Sequence, residues 1–282
     1  MNFQITSSEG FGKTNPRSDL VNHEGEGPMA TRFVITGCGR SGTGYLAKLL
    51  EGLGCPCGHE ALFNPARLGW TDSSLMARVS YKVNRPLGGR AFLTPEEFWP
   101  HRDEFWPEQI PGESSWLAVP YLACLPPGTI VLHQVRDPIP VVRSLVRTKL
   151  FQRPRSPYTV FAEEFCEALR HGSPLERSIH YWLEWNRMAE QAQSLPGLRY
   201  FRYRLEDVDE SLVEEILLAI GFERGREQIR EALRVQPSDY NSRGSKENDG
   251  QISWLTLPAG HARRRLEEQA QAYGYLPDQR AW

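Results

Sequence analysis

A chain of 282 residues with 40% hydrophobic and 24% charged residues is typical of a globular protein, here one domain around a sizeable core. The formal net charge of -2 gives no reason to expect nucleic acid or an anionic membrane as a partner, because both select a strongly basic surface. No apolar run reaches the roughly 18 residues that cross a bilayer and no secretory signal opens the chain, so we expect a cytoplasmic protein.

The first 28 residues are polar and glycine-rich, and they precede a second methionine, Met29. They show no apolar period, which predicts a disordered tail or residues left by an expression vector. We therefore assign the folded domain to residues 29–282.

Three strand-and-helix units follow along the chain. Residues 32–36 (RFVIT), 129–135 (TIVLHQV) and 198–204 (LRYFRYR) are short apolar or β-branched runs that predict strands. An amphipathic helix is predicted after each strand. The first covers residues 45–53, the second begins at Ile139, and the third ends at a C-terminal cap at Gly221. Strands that alternate with helices predict a single α/β domain with a doubly wound parallel sheet flanked by helices.

Two segments between these units are rich in aromatic residues. The longest predicted helix, within residues 173–193, carries Trp182 and Trp185 on an apolar stripe, which indicates core packing. Residues 92–116 combine prolines and aromatics without a period. We interpret them as an insertion over the top of the sheet, a lid or an acceptor wall.

The turn after the first strand has the outline of a phosphate-binding loop but lacks its lysine. In the ATP-binding pattern G-x-x-x-x-G-K-[ST], the lysine reaches the outer phosphates and the hydroxyl residue binds magnesium. When Gly37 and Gly42 are aligned to the two glycines, Thr43 occupies the lysine position and Gly44 the magnesium position. The loop therefore lacks both features that are specific to ATP.

What remains of this loop still suits a small tetrahedral anion. Backbone N–H groups converge at the N-terminus of a helix, and Arg40, Ser41 and Thr43 add side-chain donors. Such a site needs less charge than a triphosphate site and no metal. Arg40 supplies the cation from the loop itself.

A second anion site is predicted after the strand at residues 129–135. Arg136 lies at the carboxyl edge of that strand, where ligands of open α/β sheets bind, and Ser144 lies in the first turns of the next helix. A guanidinium and a hydroxyl placed in this way can hold a second phosphate.

These two motifs together resemble those of the sulfotransferases that use 3′-phosphoadenosine 5′-phosphosulfate (PAPS). GCGRSGTGYLAKLL resembles their 5′-phosphosulfate loop, and VRDPIPVVRSL resembles their 3′-phosphate motif. HYWLEWNRMAE and YRLEDV are similar to further motifs of the family, so the likeness extends over about residues 32–221. The resemblance implies the P-loop NTPase-like sulfotransferase fold, with PAPS as donor, adenosine 3′,5′-bisphosphate (PAP) as product and no metal.

The resemblance also implies roles for individual residues. Arg136 and Ser144 would hold the 3′-phosphate, while Arg243 and Lys246 in NSRGSK would close over it or remain solvated loop charges. The 5′-phosphosulfate would be held by residues of the first loop: Arg40, Ser41, Gly42, Thr43 and Gly44.

Sulfuryl transfer needs a base that deprotonates the attacking group, and CPCGHEALF offers His59 and Glu60. A similar C-G-x-E stretch carries a catalytic glutamate in several branches of the family, which implies that role for Glu60. His59 is the alternative, and Arg40 would complete the catalytic set beside the transferring group.

Glu113, in GESSWLAVPYL, is a third base candidate. The segment is similar to the family's E-K-[ST]-P-x-Y-L, but Ser114 stands where a lysine often does. If a lysine steadies the bridging oxygen, Lys82 or Lys246 would have to supply it.

A metal site is disfavoured, although Cys55, Cys57 and His59 alternate along one stretch, because too few other ligands are in view. The five cysteines follow no framework spacing, which predicts free thiols.

The predicted acceptor is a hydroxyl of a sugar or another small molecule, with no nucleic acid or membrane as partner. Two alternatives stay open: a P-loop kinase-like phosphotransferase, and a non-catalytic module that binds PAP. The sequence indicates no oligomeric state.

Overall fold

A computed structural model describes residues 31–69, 91–101, 105–107, 110–153, 156–236 and 252–275. In these residues one sheet has the strand order β2-β3-β1-β4-β5, and every pair of neighbouring strands is parallel. Its strands are β1 (Phe33–Thr36), β2 (Cys57–His59), β3 (Gly112–Ser114), β4 (Ile130–Val135) and β5 (Arg199–Arg204).

The described residues form eight α-helices, and the three predicted amphipathic helices are α1, α3 and α6. The helices are α1 (Thr43–Gly52), α2 (Pro95–Phe98), α3 (Pro138–Arg147), α4 (Pro157–Phe165), α5 (Pro174–Glu190), α6 (Glu210–Ala219), α7 (Arg226–Val235) and α8 (His261–Ala272). Short 3₁₀ helices connect several of them, and the longest is Trp116–Cys124. Within the described ranges, no helix is long and apolar enough to cross a membrane.

Both faces of the sheet are covered, as the predicted doubly wound fold requires. In β1, Val34 belongs to one buried cluster, while Phe33 and Ile35 belong to the other. The period of two along a strand sends alternate side chains to opposite faces. Helices α3, α5 and α8 cover one face, and α1, α6 and α7 cover the other. The predicted fold class is confirmed.

The longest helix, α5, packs into the core as its apolar stripe predicts. Ser173 caps its N-terminus by accepting from the Glu176 N–H, and the Glu176 side chain accepts from the Ser173 N–H in return. Trp182 and Trp185 are both 0% exposed. Their indole N–H groups are nevertheless paired: that of Trp185 donates to the Trp116 carbonyl oxygen at 2.9 Å, and that of Trp182 donates to the Arg136 carbonyl oxygen.

The structure differs from the lid predicted for residues 92–116, although Trp116 at the end of this segment lines the cleft described below. Of their aromatic rings, Phe98, Phe105 and Trp106 are buried in the core beside Phe63 rather than spread over the sheet as a lid. The segment also ends in β3, which lies between β2 and β1. Three residues are too few to show a strand period, so the sequence did not reveal this strand.

The five cysteines are free and buried, in agreement with the prediction. Cys55 and Cys57 lie in the core while His59 is exposed, so the three side chains do not converge. The predictions for residues 1–28, Lys82, Arg243 and Lys246 concern positions outside the described residues.

Candidate active site

A cleft of about 1040 Å³ opens at the carboxyl edge of the sheet. Its walls come from the loop between β1 and α1, the end of β2, helix α3, and residues in the ranges 148–153 and 156–158. The cleft brings together most of the predicted site residues that the structure describes: Arg40, Gly42, Thr43, Gly44, His59, Glu60, Arg136 and Ser144.

The loop between β1 and α1 is shaped by glycines that have left-handed backbone angles. Gly37 has φ 149°, and a Cβ atom there would lie 2.2 Å from the Gln134 carbonyl oxygen. Gly42, with φ 92°, is the N-terminal cap of α1. The first N–H groups of a helix have no acceptor within it, and those of Thr43 and Gly44 begin α1 beside the cleft.

Gln134 in β4 supports this loop from below. Its amide Nε2 donates to the Ser41 carbonyl oxygen, and its Oε1 accepts from the Tyr203 hydroxyl at 2.9 Å. The Ser41 hydroxyl is turned into the loop, where it donates to the Cys38 carbonyl oxygen at 2.6 Å. Ser41 therefore does not line the cleft, unlike the other predicted residues of the loop.

The two predicted anion motifs are in direct contact. Arg40 Nε donates to Ser144 Oγ at 2.8 Å, and Arg136 Nη1 donates to the Arg40 carbonyl oxygen at 3.1 Å. The Arg40 backbone has φ 75°, in the left-handed region that non-glycine residues seldom adopt. The two motifs thus form one continuous surface of donors.

Helix α5 holds both motifs in place through its aromatic side chains. The Tyr181 hydroxyl accepts from the Gly39 N–H at 2.8 Å, and the Trp182 indole donates to the Arg136 carbonyl oxygen at 3.0 Å. A buried indole or phenol needs a polar partner, and here each partner is backbone of a cleft-lining segment. Core packing and support of the site are therefore combined in these residues.

Glu60 faces the cleft from the turn after β2. Its backbone has φ 51°, and its N–H donates to the Ser114 carbonyl oxygen at 2.9 Å. Its carboxylate accepts from the Tyr158 hydroxyl at 3.4 Å and from the Trp116 indole. Burial raises the pKa of Glu60, and the positive charge of His59 and these two hydrogen bonds oppose the rise.

The other two base candidates lie in different surroundings. His59 is exposed at the rim of the cleft. Glu113 in β3 is 0% exposed and does not line the cleft, and one of its carboxylate oxygens accepts from the Leu62 and Phe63 N–H groups at 3.0 and 3.2 Å. Burial raises the pKa of Glu113 to about 7.

The cleft is strongly basic although the whole chain is not. Among the described residues that line it, Glu60 is the only acidic one, and five are arginines: Arg40, Arg136, Arg143, Arg147 and Arg153. Such a concentration of guanidinium groups favours a ligand with more than one anionic group.

The sequence reading missed several of the residues that line the cleft. Arg143 and Arg147 stand four apart on α3 and flank Ser144, a helical spacing that could have indicated them. Tyr158, at the start of α4, belongs to no motif, so no local signal indicated it.

The chain is similar to two solved structures of low sequence identity. One is a sulfotransferase domain from the curacin biosynthetic pathway, with 15% identity over 86% of this chain and 98% of that chain and a TM-score of 0.44. The other is a sulfotransferase from Alicyclobacillus acidocaldarius, with 17% identity over 72% of this chain and 89% of that chain and a TM-score of 0.40. No family model and no curated protein sequence matches the chain. The functional conclusion therefore rests on the residues of the cleft.

Proposed function

We propose that the protein is a sulfotransferase that moves the sulfuryl group of PAPS to an acceptor hydroxyl, with Glu60 as general base. The observation that carries the proposal is the contact of the two anion motifs, Arg40 with Ser144 and Arg136 with the Arg40 backbone, in the cleft that Glu60 faces. PAPS has anionic groups at both ends of one nucleoside, and this surface offers donors for both.

The residues of the cleft divide between the two ends of the donor. The N–H groups of Thr43 and Gly44 at the start of α1, together with Arg40, are suited to the 5′-phosphosulfate. Arg136 and Ser144 are suited to the 3′-phosphate. Because Arg40 contacts Ser144, its guanidinium lies where both groups of donors meet.

Glu60 has the surroundings that a general base at neutral pH requires. PAPS supplies an activated sulfuryl group whose leaving group is PAP. Glu60 takes the proton of the acceptor hydroxyl as that oxygen attacks sulfur, and Arg40 holds positive charge beside the developing anion. Burial raises the pKa of Glu60 above its ordinary range, which makes the carboxylate a stronger base than an exposed glutamate.

The residue types of the loop favour this reaction over phosphoryl transfer from ATP. Thr43 and Gly44 occupy the positions at which a P-loop kinase needs its lysine and its magnesium-binding hydroxyl. Donor competition separates the two functions: PAP should displace a bound fluorescent PAP analogue, whereas ATP with magnesium should not.

The direct test is transfer of label from [³⁵S]PAPS to a panel of sugars, phenols, lipids and peptides. Labelled product that requires Arg136 and Glu60 would support the proposal. Tight binding of ATP with no binding of PAP in calorimetry would overturn it in favour of the kinase. A non-catalytic module would be favoured by two results together: the protein binds PAP but transfers sulfuryl to no acceptor, and Glu60→Gln has no effect in cells that need the protein.

A further inference from the structure

Glu113 is a buried carboxylate placed directly behind the turn that carries Glu60. Its Oε1 accepts from the Leu62 N–H at 3.0 Å and from the Phe63 N–H at 3.2 Å, and the Ala61 N–H also stabilises its charge. Three successive N–H groups that converge on one anion form a backbone nest. Here the anion is a side chain of the protein, and the nest is the segment that follows Glu60.

This segment needs an external support because Glu60 has a strained backbone. Its φ of 51° lies in the left-handed region, and residues other than glycine stay there only when their surroundings hold them. The supports are in and just after β3: the Ser114 carbonyl oxygen accepts from the Glu60 N–H, and Ser115 Oγ donates to the Phe63 carbonyl oxygen at 2.8 Å. Glu113 binds the backbone N–H groups that lie between these two bonds.

A second observation is that the chain packs closely around this carboxylate, beside a glycine. A Cβ atom at Gly58 would lie 2.5 Å from Glu113 Oε2. That oxygen is buried and has no hydrogen-bond partner among the described residues. The hydrogen bonds to the Leu62 and Phe63 N–H groups are therefore made by Oε1 alone.

We propose that Glu113 is a positioning residue for the reaction: its carboxylate fixes residues 60–63 through their backbone and thereby aims the Glu60 carboxylate into the cleft. The inference rests on the proposed role of Glu60 as base. It differs from a role for Glu113 as the base itself, because the Glu113 side chain does not line the cleft.

Two substitutions of Glu113 distinguish the effect of its hydrogen bonds to the backbone from the effect of its negative charge. Glu113→Gln keeps an oxygen that can accept from the Leu62 and Phe63 N–H groups, whereas Glu113→Ala leaves both groups without it. We expect Glu113→Ala to lower kcat by about tenfold or more, since a misplacement of about 1 Å can cost up to about 10²-fold. Glu113→Gln should restore kcat to within about threefold of the wild-type value, and PAP affinity should stay unchanged in both variants.

Glu164 provides a matched control in the same chain. Its carboxylate accepts from two successive N–H groups, those of Ala91 at 2.8 Å and Phe92 at 3.2 Å, but it does not line the cleft. Glu164→Ala therefore removes a similar backbone anchor that does not support the turn carrying Glu60. We expect it to lower the thermal midpoint and to leave kcat unchanged.

The outcomes distinguish this inference from the proposed function. If the wild-type protein transfers no sulfuryl group, the proposed function is wrong and the inference is overturned with it. If the wild-type protein is active and Glu113→Ala keeps wild-type kcat, or Glu164→Ala loses as much, only the inference is overturned. Should Glu113→Ala fail to fold in thermal melts, Glu113→Asp replaces it, because it keeps the charge but is too short to reach the nest, and the same loss of kcat is expected.

Discussion

The two sides of the cleft are built in different ways. On the donor side, side chains from separate motifs meet directly, as Arg40 and Ser144 do at 2.8 Å. On the base side, one carboxylate is held by the Tyr158 hydroxyl and the Trp116 indole, and its backbone is supported from within the core. Recognition of an anion requires accessible cations, whereas a base of raised pKa requires burial. A sequence motif can therefore indicate the anion-binding residues, but it cannot indicate the burial of the base.

The comparison predicts that the largest effect on turnover comes from the base side. Glu60→Gln keeps the shape of the side chain but cannot accept the proton, so kcat should fall by about 10²–10⁴-fold. PAP affinity, measured by calorimetry, should stay unchanged because the donor side is intact. Full turnover in this variant would move the role to His59, and His59→Ala measured alongside tests that alternative.

Substitutions on the donor side should instead lower the affinity for PAP. Arg136→Ala and Arg40→Ala each remove charge-assisted hydrogen bonds worth about 1.5–3 kcal/mol, so PAP affinity should fall roughly 10- to 150-fold in calorimetry. Arg226→Ala is the control, since Arg226 pairs with Glu214 on the surface, away from the cleft. If both cleft variants bound PAP as tightly as the control, the donor side would lie elsewhere.

The supporting carboxylate predicts a dependence of stability on pH. Burial raises the pKa of Glu113 from 4.5 to about 7, so its contribution to stability is present below pH 4.5 and is lost as the pH rises through 7. The loss corresponds to about 3 kcal/mol. Glu113→Gln should therefore gain stability relative to the wild-type protein over this pH range.

The measurement is the free energy of unfolding of both proteins from pH 4 to pH 8. The difference between the wild-type protein and Glu113→Gln is needed because a second buried group also titrates in this range. Burial lowers the pKa of His133 to about 4, so His133 removes stability as the pH falls below 6.5, which is opposite to the effect of Glu113. A difference that did not change with pH would mean that Glu113 ionises at its ordinary pKa.

The smallest effect should come from Tyr158, whose bond to Glu60 is long at 3.4 Å. This bond stabilises the Glu60 carboxylate and lowers its pKa. Tyr158→Phe should therefore raise the pKa of Glu60, and the acidic limb of kcat/KM should move to higher pH in a rate profile. Movement to lower pH would show that Tyr158 does not donate to the base.

Much of the fold and the anion-binding side of the site could be predicted from local sequence patterns. Apolar strands followed by amphipathic helices predicted the doubly wound α/β fold, and the loop chemistry around Arg40 and Arg136 indicated two anion sites. The sequence does not predict strand β3, because Gly112–Ser114 is too short to show a period. It predicts a lid or an acceptor wall from the aromatic residues before β3, whereas most of these residues fill the core.

The sequence by itself determined the periodicities that build the sheet and the residue types of its glycine-rich loop, since both follow from neighbours along the chain. Tertiary structure alone decided that Arg40 bonds to Ser144, 104 residues away, and that Tyr158 reaches Glu60. It also decided that Glu60 faces the cleft while Glu113 lies buried behind it. The physical reason is that burial, and with it the pKa of a carboxylate, depends on groups brought together only by folding.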